Sequence, residues 1–349
     1  MQKPSELHLI VPGICGPLAE TQAPHANPAV KRWLKTLSKS RCQPSGEDEH
    51  DVIAEVLGLE YKDSFPSAAL TLLANDLYDD GMFCMHADPV HLQADMDHAV
   101  LTSSADLDIA VQESSAICAA LDQHFHQDGL TFFTLNKDQW FVSSKEKIRM
   151  ETTSLVDATG RNVNFILPAG EDSPRWRQRL TEAQMLMHSH ELNMTRERAG
   201  LPSINSLWFH GPGELEVSVS DPVASICSND DMLKGLAKHI QCDHIKVPES
   251  VAAYAEYLSS GEPGSRHILQ FSQLEHLTNY TDVSLWMNAL EQLLQQWVYP
   301  LLKLMSKNNI TLTLYPCNGK CYRFSKYDVL CFWRQAGRKD KIEDYVSSY

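Results

Sequence analysis

The chain has 349 residues, 43% of them apolar, and a formal net charge of -15. That length exceeds the about 250–300 residues at which one hydrophobic core stops growing, so two lobes, or one large domain with an insertion, are expected. The acidic balance opposes nucleic acid and anionic membranes as partners, and no stretch approaches the roughly 18–20 apolar residues of a membrane helix.

The densest basic stretch, Arg175 to Arg179, holds three arginines and reads as a solvated helix face. The amino-terminal apolar run is too short for a signal peptide, and the nine cysteines are scattered. Both features predict a cytoplasmic protein with reduced thiols.

In chain order, Leu7–Val11 reads as a buried strand closed by Pro12-Gly13. Asn27-Pro28 opens a helix through Leu37, with asparagine as cap and proline in the first turn. Residues 40–51 read as a polar loop, and helices follow over 52–59 and 66–78. Met82–Ala87 reads as a strand that ends at Asp88-Pro89.

Between about 105 and 185 the pattern changes. A helix over 109–125 precedes β-like runs at 130–135, 139–143 and 162–167, and a helix over 174–189 follows. That order predicts a small α+β insertion. Beyond 200, strands at 206–210, 224–227, 267–271 and 310–315 alternate with helices near 230–239, 249–259 and 281–306, the order of an open parallel sheet covered on both faces. In the last helix Trp286, Leu290, Leu293, Trp297 and Leu301 recur at helical spacing, which predicts core burial, with a kink at Pro300.

Several segments resemble the archaeal-type cofactor-independent phosphoglycerate mutases of the alkaline phosphatase superfamily. They are Glu191–Gly200 with Leu207–Gly213 (LWFHGPG), Ala224–Pro248 with its Lys234-Gly235, Val56–Ala74 and Asp80–Leu92. A narrower resemblance, to the RpfE-type bacterial proteins described as phosphoglycerate-mutase-like or regulatory, lies in His86–Leu92, Ser206–Phe209 and Pro316–Gly319. The resemblance implies an α/β fold: an open, mostly parallel sheet with helices on both faces and a smaller inserted α+β domain. The expected boundaries are 1–105 with 190–349 for the core and 106–189 for the insertion.

The resemblance also implies a serine nucleophile beside two divalent metals, which neutralise charge on the transferred phosphoryl group. The four segments that should carry this chemistry depart from the pattern. Leu9–Gly13 has no carboxylate, and Glu49–Ala54 has no serine, the nearest being Ser45. Glu275 and His276 sit out of register within Gln273–Asp282, and Pro316–Gly319 replaces the final Asp-His. Asp97–Leu101 lacks the arginines of the family, and His210 stands where it has another. Without bidentate arginines, a triply charged phosphoglycerate binds poorly in so acidic a chain.

What remains as a candidate site is His86-Ala-Asp88-Pro-Val-His91-Leu-Gln-Ala-Asp95-Met-Asp97-His98, with three histidines and three aspartates in 13 residues. Such residues suit zinc, manganese or iron. On a strand His86 and Asp88 share a face, and a turn at Asp88-Pro89 can bring His91 near. The plain alternative is a polar loop whose aspartates cap a turn. His210 before Gly211-Pro-Gly213 offers amides to an anion, while Cys317-Asn318-Gly-Lys320-Cys321 offers thiols or, more plainly, a reverse turn. Glu275-His276 can form an acid–base pair or a surface dipeptide.

The sequence reading is therefore a mutase-like protein lacking the family's metal and nucleophile residues, a non-catalytic regulatory protein binding a small molecule or protein partner. The alternative is a metal-dependent phosphotransferase or phosphohydrolase with a relocated site. Ligand-binding candidates are His86, Asp88, His91, Asp95, His210, Asn318 and Lys320, with His86, Asp88 and His91 as candidate ligands of a divalent metal.

Overall fold

The structure, a computed structural model, describes residues 4–16, 27–61, 64–95, 98–279 and 283–325. Its contacts divide the chain into two units, Met1–Glu60 with Ser218–Tyr349, and Tyr61–Val217. The insertion is thus wider at both ends than the 106–189 span expected from sequence. The strands expected at 82–87 and 206–210, both assigned to the core with the parallel sheet, run over 83–95 and 206–213 and pair with each other antiparallel.

The first unit is built on a seven-stranded sheet, with labels following chain order. Its strands are β1 (Ser5–Ile10), β2 (Arg41–Pro44), β10 (Ser225–Cys227), β11 (Asp243–Ile245), β12 (Arg266–Gln270), β13 (Ile310–Tyr315) and β14 (Lys320–Phe324). They lie in the order β11-β10-β12-β1-β13-β14-β2. The first five are parallel, and β14 and β2 add an antiparallel edge. A two-stranded ribbon of β3 (Leu59–Glu60) and β9 (Ser218–Val219) completes the strands of this unit.

Its helices are α1 (Pro28–Leu37), α2 (Glu49–Leu57), α8 (Asp231–Ile240), α9 (Val251–Ser260), α10 (Val283–Leu293) and α11 (Tyr299–Lys307). As expected, Asn27 caps α1, its Oδ1 accepting from the amide of Ala29 at 2.7 Å. The polar stretch at 40–51 is less irregular than its composition suggests. It holds the exposed edge strand β2 and the start of α2, whose cap is Asp48. An edge strand pairs on one side only, and charged residues and proline such as Arg41 and Pro44 guard its open edge against further pairing.

Leu7, Leu9, Leu269, Leu312 and Leu314 face one side of the sheet and pack with Trp33, Tyr254, Trp286 and Trp297 in a single core. Trp286 is fully buried and donates its Nε1 hydrogen to the Gly13 carbonyl at 2.9 Å. The expected tryptophan stripe is core, and a π-helical stretch over Leu294–Val298 interrupts the α-helical pattern before Pro300.

The second unit contains an antiparallel sheet of β4 (Phe83–Asp95), β5 (His98–Thr102), β6 (Leu130–Thr134), β7 (Trp140–Ser144) and β8 (Ser206–Gly213). Its helices are α3 (Ser67–Ala74), α4 (Val111–Phe125), α5 (Leu155–Ala158), α6 (Ser173–His188) and α7 (Glu191–Arg198). Met85, Ala87, Leu207 and Phe209 face α4 and α6 with Ile117, Leu121 and Trp176. The β-like run at 162–167 is a 3-10 turn over Val163–Phe165. Asn162 Oδ1 accepts from the Asn164 amide there, a local bond that competes with a strand ladder.

Candidate functional site

Asp88-Pro89 does not end the strand. β4 runs through it to Asp95, with Asp88 opposite Trp208 and Pro89 opposite Leu207 on β8. β7 pairs only with Phe83–His86, so Pro89 lies where one side of the strand has lost that neighbour, the edge-like setting in which proline is tolerated.

The register that results sets His86 directly opposite His210. One extra residue in β8 between His210 and Gly213 forms a bulge, and Gly211 takes φ +57° there. A Cβ on Gly211 would stand 1.9 Å from Ser67 Oγ, so the residue is fixed as glycine by backbone angle and by the approach of α3. The Gly211 amide donates to Thr152 Oγ1 at 3.1 Å. That occupies one of the amides expected to meet an anion.

Strand alternation then brings His86, Asp88 and His210 to one face, and all three are buried. The imidazoles stack at 4.3 Å between centroids and 3° between planes. His210 Nε2 lies 2.9 Å from Asp88 Oδ2, and His86 Nδ1 lies 3.8 Å from the same oxygen. Asp88 Oδ1 accepts from the Trp140 amide at 2.9 Å, and Phe141 packs on the His86 ring at 4.7 Å. Burial raises the Asp88 carboxyl to about 6, against the opposing pull of His86 and of the Trp140 amide.

The remaining sequence candidates do not join this group. His91, an odd number of residues away, faces the other side of β4, and its Nδ1 lies 2.8 Å from the Ser203 carbonyl. The turn that was to bring it back is absent because the strand continues. Asp95 lies seven residues beyond Asp88, about 23 Å along an extended strand at roughly 3.3 Å per residue. Its side chain, like Asp97, lies outside the described residues.

Asn318 and Lys320 belong to the first unit. Residues 316–319 link β13 to β14 as a hairpin, not the end of a last strand, with Asn318 buried and Cys317 at φ +60°. His276 is exposed on a 3-10 turn that follows β12.

At the carboxyl ends of the parallel strands the structure reveals a chain of bonds that the sequence reading missed. Ser228 Oγ donates to Gln270 Oε1 at 2.7 Å, and Gln270 Nε2 donates to Glu49 Oε1 at 2.7 Å. The signal available was a glutamine closing the otherwise apolar run Ile268-Leu269. α2 begins here with Asp48 as cap and Glu49 and Asp51 in its first turn. Burial, with the neighbouring Asp48 charge, raises the Asp51 carboxyl above its ordinary range.

These residues do not fit the two-metal centre that the mutase resemblance implies. The strand ends present an amide and a hydroxyl already bonded to each other, and Asp282 lies outside the described residues. Among the described residues, the one group of three histidine, cysteine or carboxylate side chains with converging ligand atoms is His86, Asp88 and His210.

No family model matches the chain. The 2,3-bisphosphoglycerate-independent phosphoglycerate mutase of Methanosarcina barkeri (strain Fusaro / DSM 804) is 23% identical over 146 residues, spanning 40% of this chain and 37% of that protein. The similarity to that mutase covers less than half the length of either protein. The solved PH0037 protein from Pyrococcus horikoshii shares its fold, with a TM-score of 0.52 at 12% identity over 93% of this chain and 88% of that one. The cofactor-independent phosphoglycerate mutase from Thermoplasma acidophilum DSM 1728 aligns with a TM-score of 0.38 at 13% identity over 93% and 90% of the two chains. The chain has the expected mixed α/β architecture with a mostly parallel sheet and helices, the fold it shares with the PH0037 protein. Among the described residues no helix is long and apolar enough to cross a membrane.

Proposed function

We propose that this mutase-like chain binds a small molecule or a protein partner without turning it over, in a regulatory capacity. The observation that carries the reading is the Ser228–Gln270–Glu49 chain of hydrogen bonds at the carboxyl ends of the parallel strands. Ligands of open α/β sheets bind at that edge. Phosphoryl transfer there needs cations to neutralise the equatorial oxygens and a nucleophile in line with the leaving group. Here one carboxylate, Glu49, is bonded to the Gln270 amide, which falls short of a ligand set for two cations, and the Ser228 hydroxyl donates its hydrogen to that amide and not to a base.

The start of α2 supports the same reading. A helix amino terminus favours an incoming phosphate. Here Asp48, Glu49 and Asp51 already place carboxylates in that position, so a phosphomonoester meets like charge. The test is an assay of 3-phosphoglycerate and p-nitrophenyl phosphate with magnesium, manganese or zinc. No turnover above the metal-containing buffer is expected. A saturable rate that falls in Glu49→Gln overturns the reading.

A further inference from the structure

The group formed by β4 and β8 lies wholly within the second unit, and its case rests on geometry separate from the strand-end reading. Two imidazoles and a carboxylate converge with ligand atoms all within 4.8 Å of one another. The two separations from Asp88 Oδ2 are 2.9 Å to His210 Nε2 and 3.8 Å to His86 Nδ1. Donors around a tetrahedral zinc ion, at about 2.0–2.1 Å from the metal, stand roughly 3.3 Å apart, between those two values.

The surroundings are those of a built site. Asp88 Oδ1 is held by the Trp140 amide, which fixes the carboxylate plane and leaves Oδ2 turned to the histidines. Such support from outside the ligand set orients metal-binding carboxylates and raises affinity. The shell is apolar: Phe141 lies against His86, and Val90 and Trp208 are buried alongside on the same strands. A buried carboxylate is stabilised by a cationic partner, and a dication shared with two imidazoles is the strongest of these.

We propose that His86, Asp88 and His210 bind one zinc-class divalent transition-metal ion, leaving a fourth position for water or for an oxygen or nitrogen of a ligand. Two nitrogens and one oxygen suit zinc, cobalt or nickel better than calcium or magnesium, which favour all-oxygen shells. The two rings are parallel in the structure, at 3°. A single ion lies near the plane of each ring it binds, so coordination turns one imidazole out of the stack.

The test uses the full chain, purified without chelator and without a histidine tag, and titrated with Co2+ alone. The expected result is one equivalent bound, with the visible d–d band of a nitrogen and oxygen site, no thiolate charge-transfer band, and a shift of two histidine ring resonances. His210→Gln and Asp88→Asn should each weaken binding about tenfold or more while circular dichroism stays unchanged.

Absence of any cobalt band at saturation overturns the proposal, as does a thiolate charge-transfer band or unchanged affinity in folded His210→Gln. If both variants misfold, the band type and the histidine shifts of the unaltered chain decide. A negative result leaves the non-catalytic reading untouched, because that reading stands or falls on the turnover assay.

Discussion

Asp88 and His210 meet across two antiparallel strands, Oδ2 to Nε2 at 2.9 Å, with Asp88 4% exposed and His210 9%. The pair exists because β4 continues through Pro89 and because the bulge at Gly211 sets the register. Asp88→Ala leaves both the His210 ring and the Trp140 amide without their acceptor. Breaking a buried charged pair from one side costs about 3–5 kcal/mol. Asp88→Asn keeps an oxygen for Trp140 and is expected to cost about 1–2 kcal/mol. Urea unfolding of the two variants checks the difference.

Gly211→Ala is expected to destabilise the Tyr61–Val217 unit. The φ of +57° strains any side chain, and the added methyl would meet Ser67 Oγ at 1.9 Å. The backbone alone accounts for about 1–3 kcal/mol. The double variant Gly211→Ala with Ser67→Gly removes the collision but not the angle, so its cost should be less than that of Gly211→Ala alone. A double-mutant cycle in urea reads the coupling.

His8 predicts a loss of stability in acid. Burial first, then the nearby cations Arg266 and Arg323, lower its value from 6.5 to about 4. A histidine lowered on folding contributes stability that is fully present above 6.5 and is lost as pH falls from there toward 4. The shift corresponds to about 3 kcal/mol over that window. His267 moves in the same direction, also through burial. The urea midpoint should fall between pH 7 and pH 4.5, and His8→Gln should remove much of that slope.

Trp286 anchors the core of the first unit, fully buried and bonded to the Gly13 carbonyl. Trp286→Ala is expected to cost about 3–5 kcal/mol. Thermal unfolding of the full chain checks this, with the fall in midpoint as the readout.

The parallel core was legible where periodicity and caps agreed. Asn27-Pro28 marked α1, and the run from Trp286 to Leu301 marked a buried helix, because burial of one face leaves a repeating signature. His86 and Asp88 were legible as sharing a face because strand alternation is local. What escaped notice depends on partners far along the chain. Proline at 89 reads as a turn unless the missing neighbour on one side of β4 is known. His210 reads as the end of a strand of the parallel sheet unless β8 is known to pair with β4. Gln270 reads as ordinary until Ser228 and Glu49 arrive on either side of it.

On the proposed function, the chain leaves a phosphomonoester unchanged even with a divalent metal present. The most direct measurement is 31P NMR of aliquots withdrawn over time from an incubation of the full chain with 3-phosphoglycerate and manganese or magnesium, each aliquot quenched with chelator only before acquisition. A single unchanged 3-phosphoglycerate resonance is predicted. Growth of a 2-phosphoglycerate or inorganic phosphate signal in proportion to protein would contradict it.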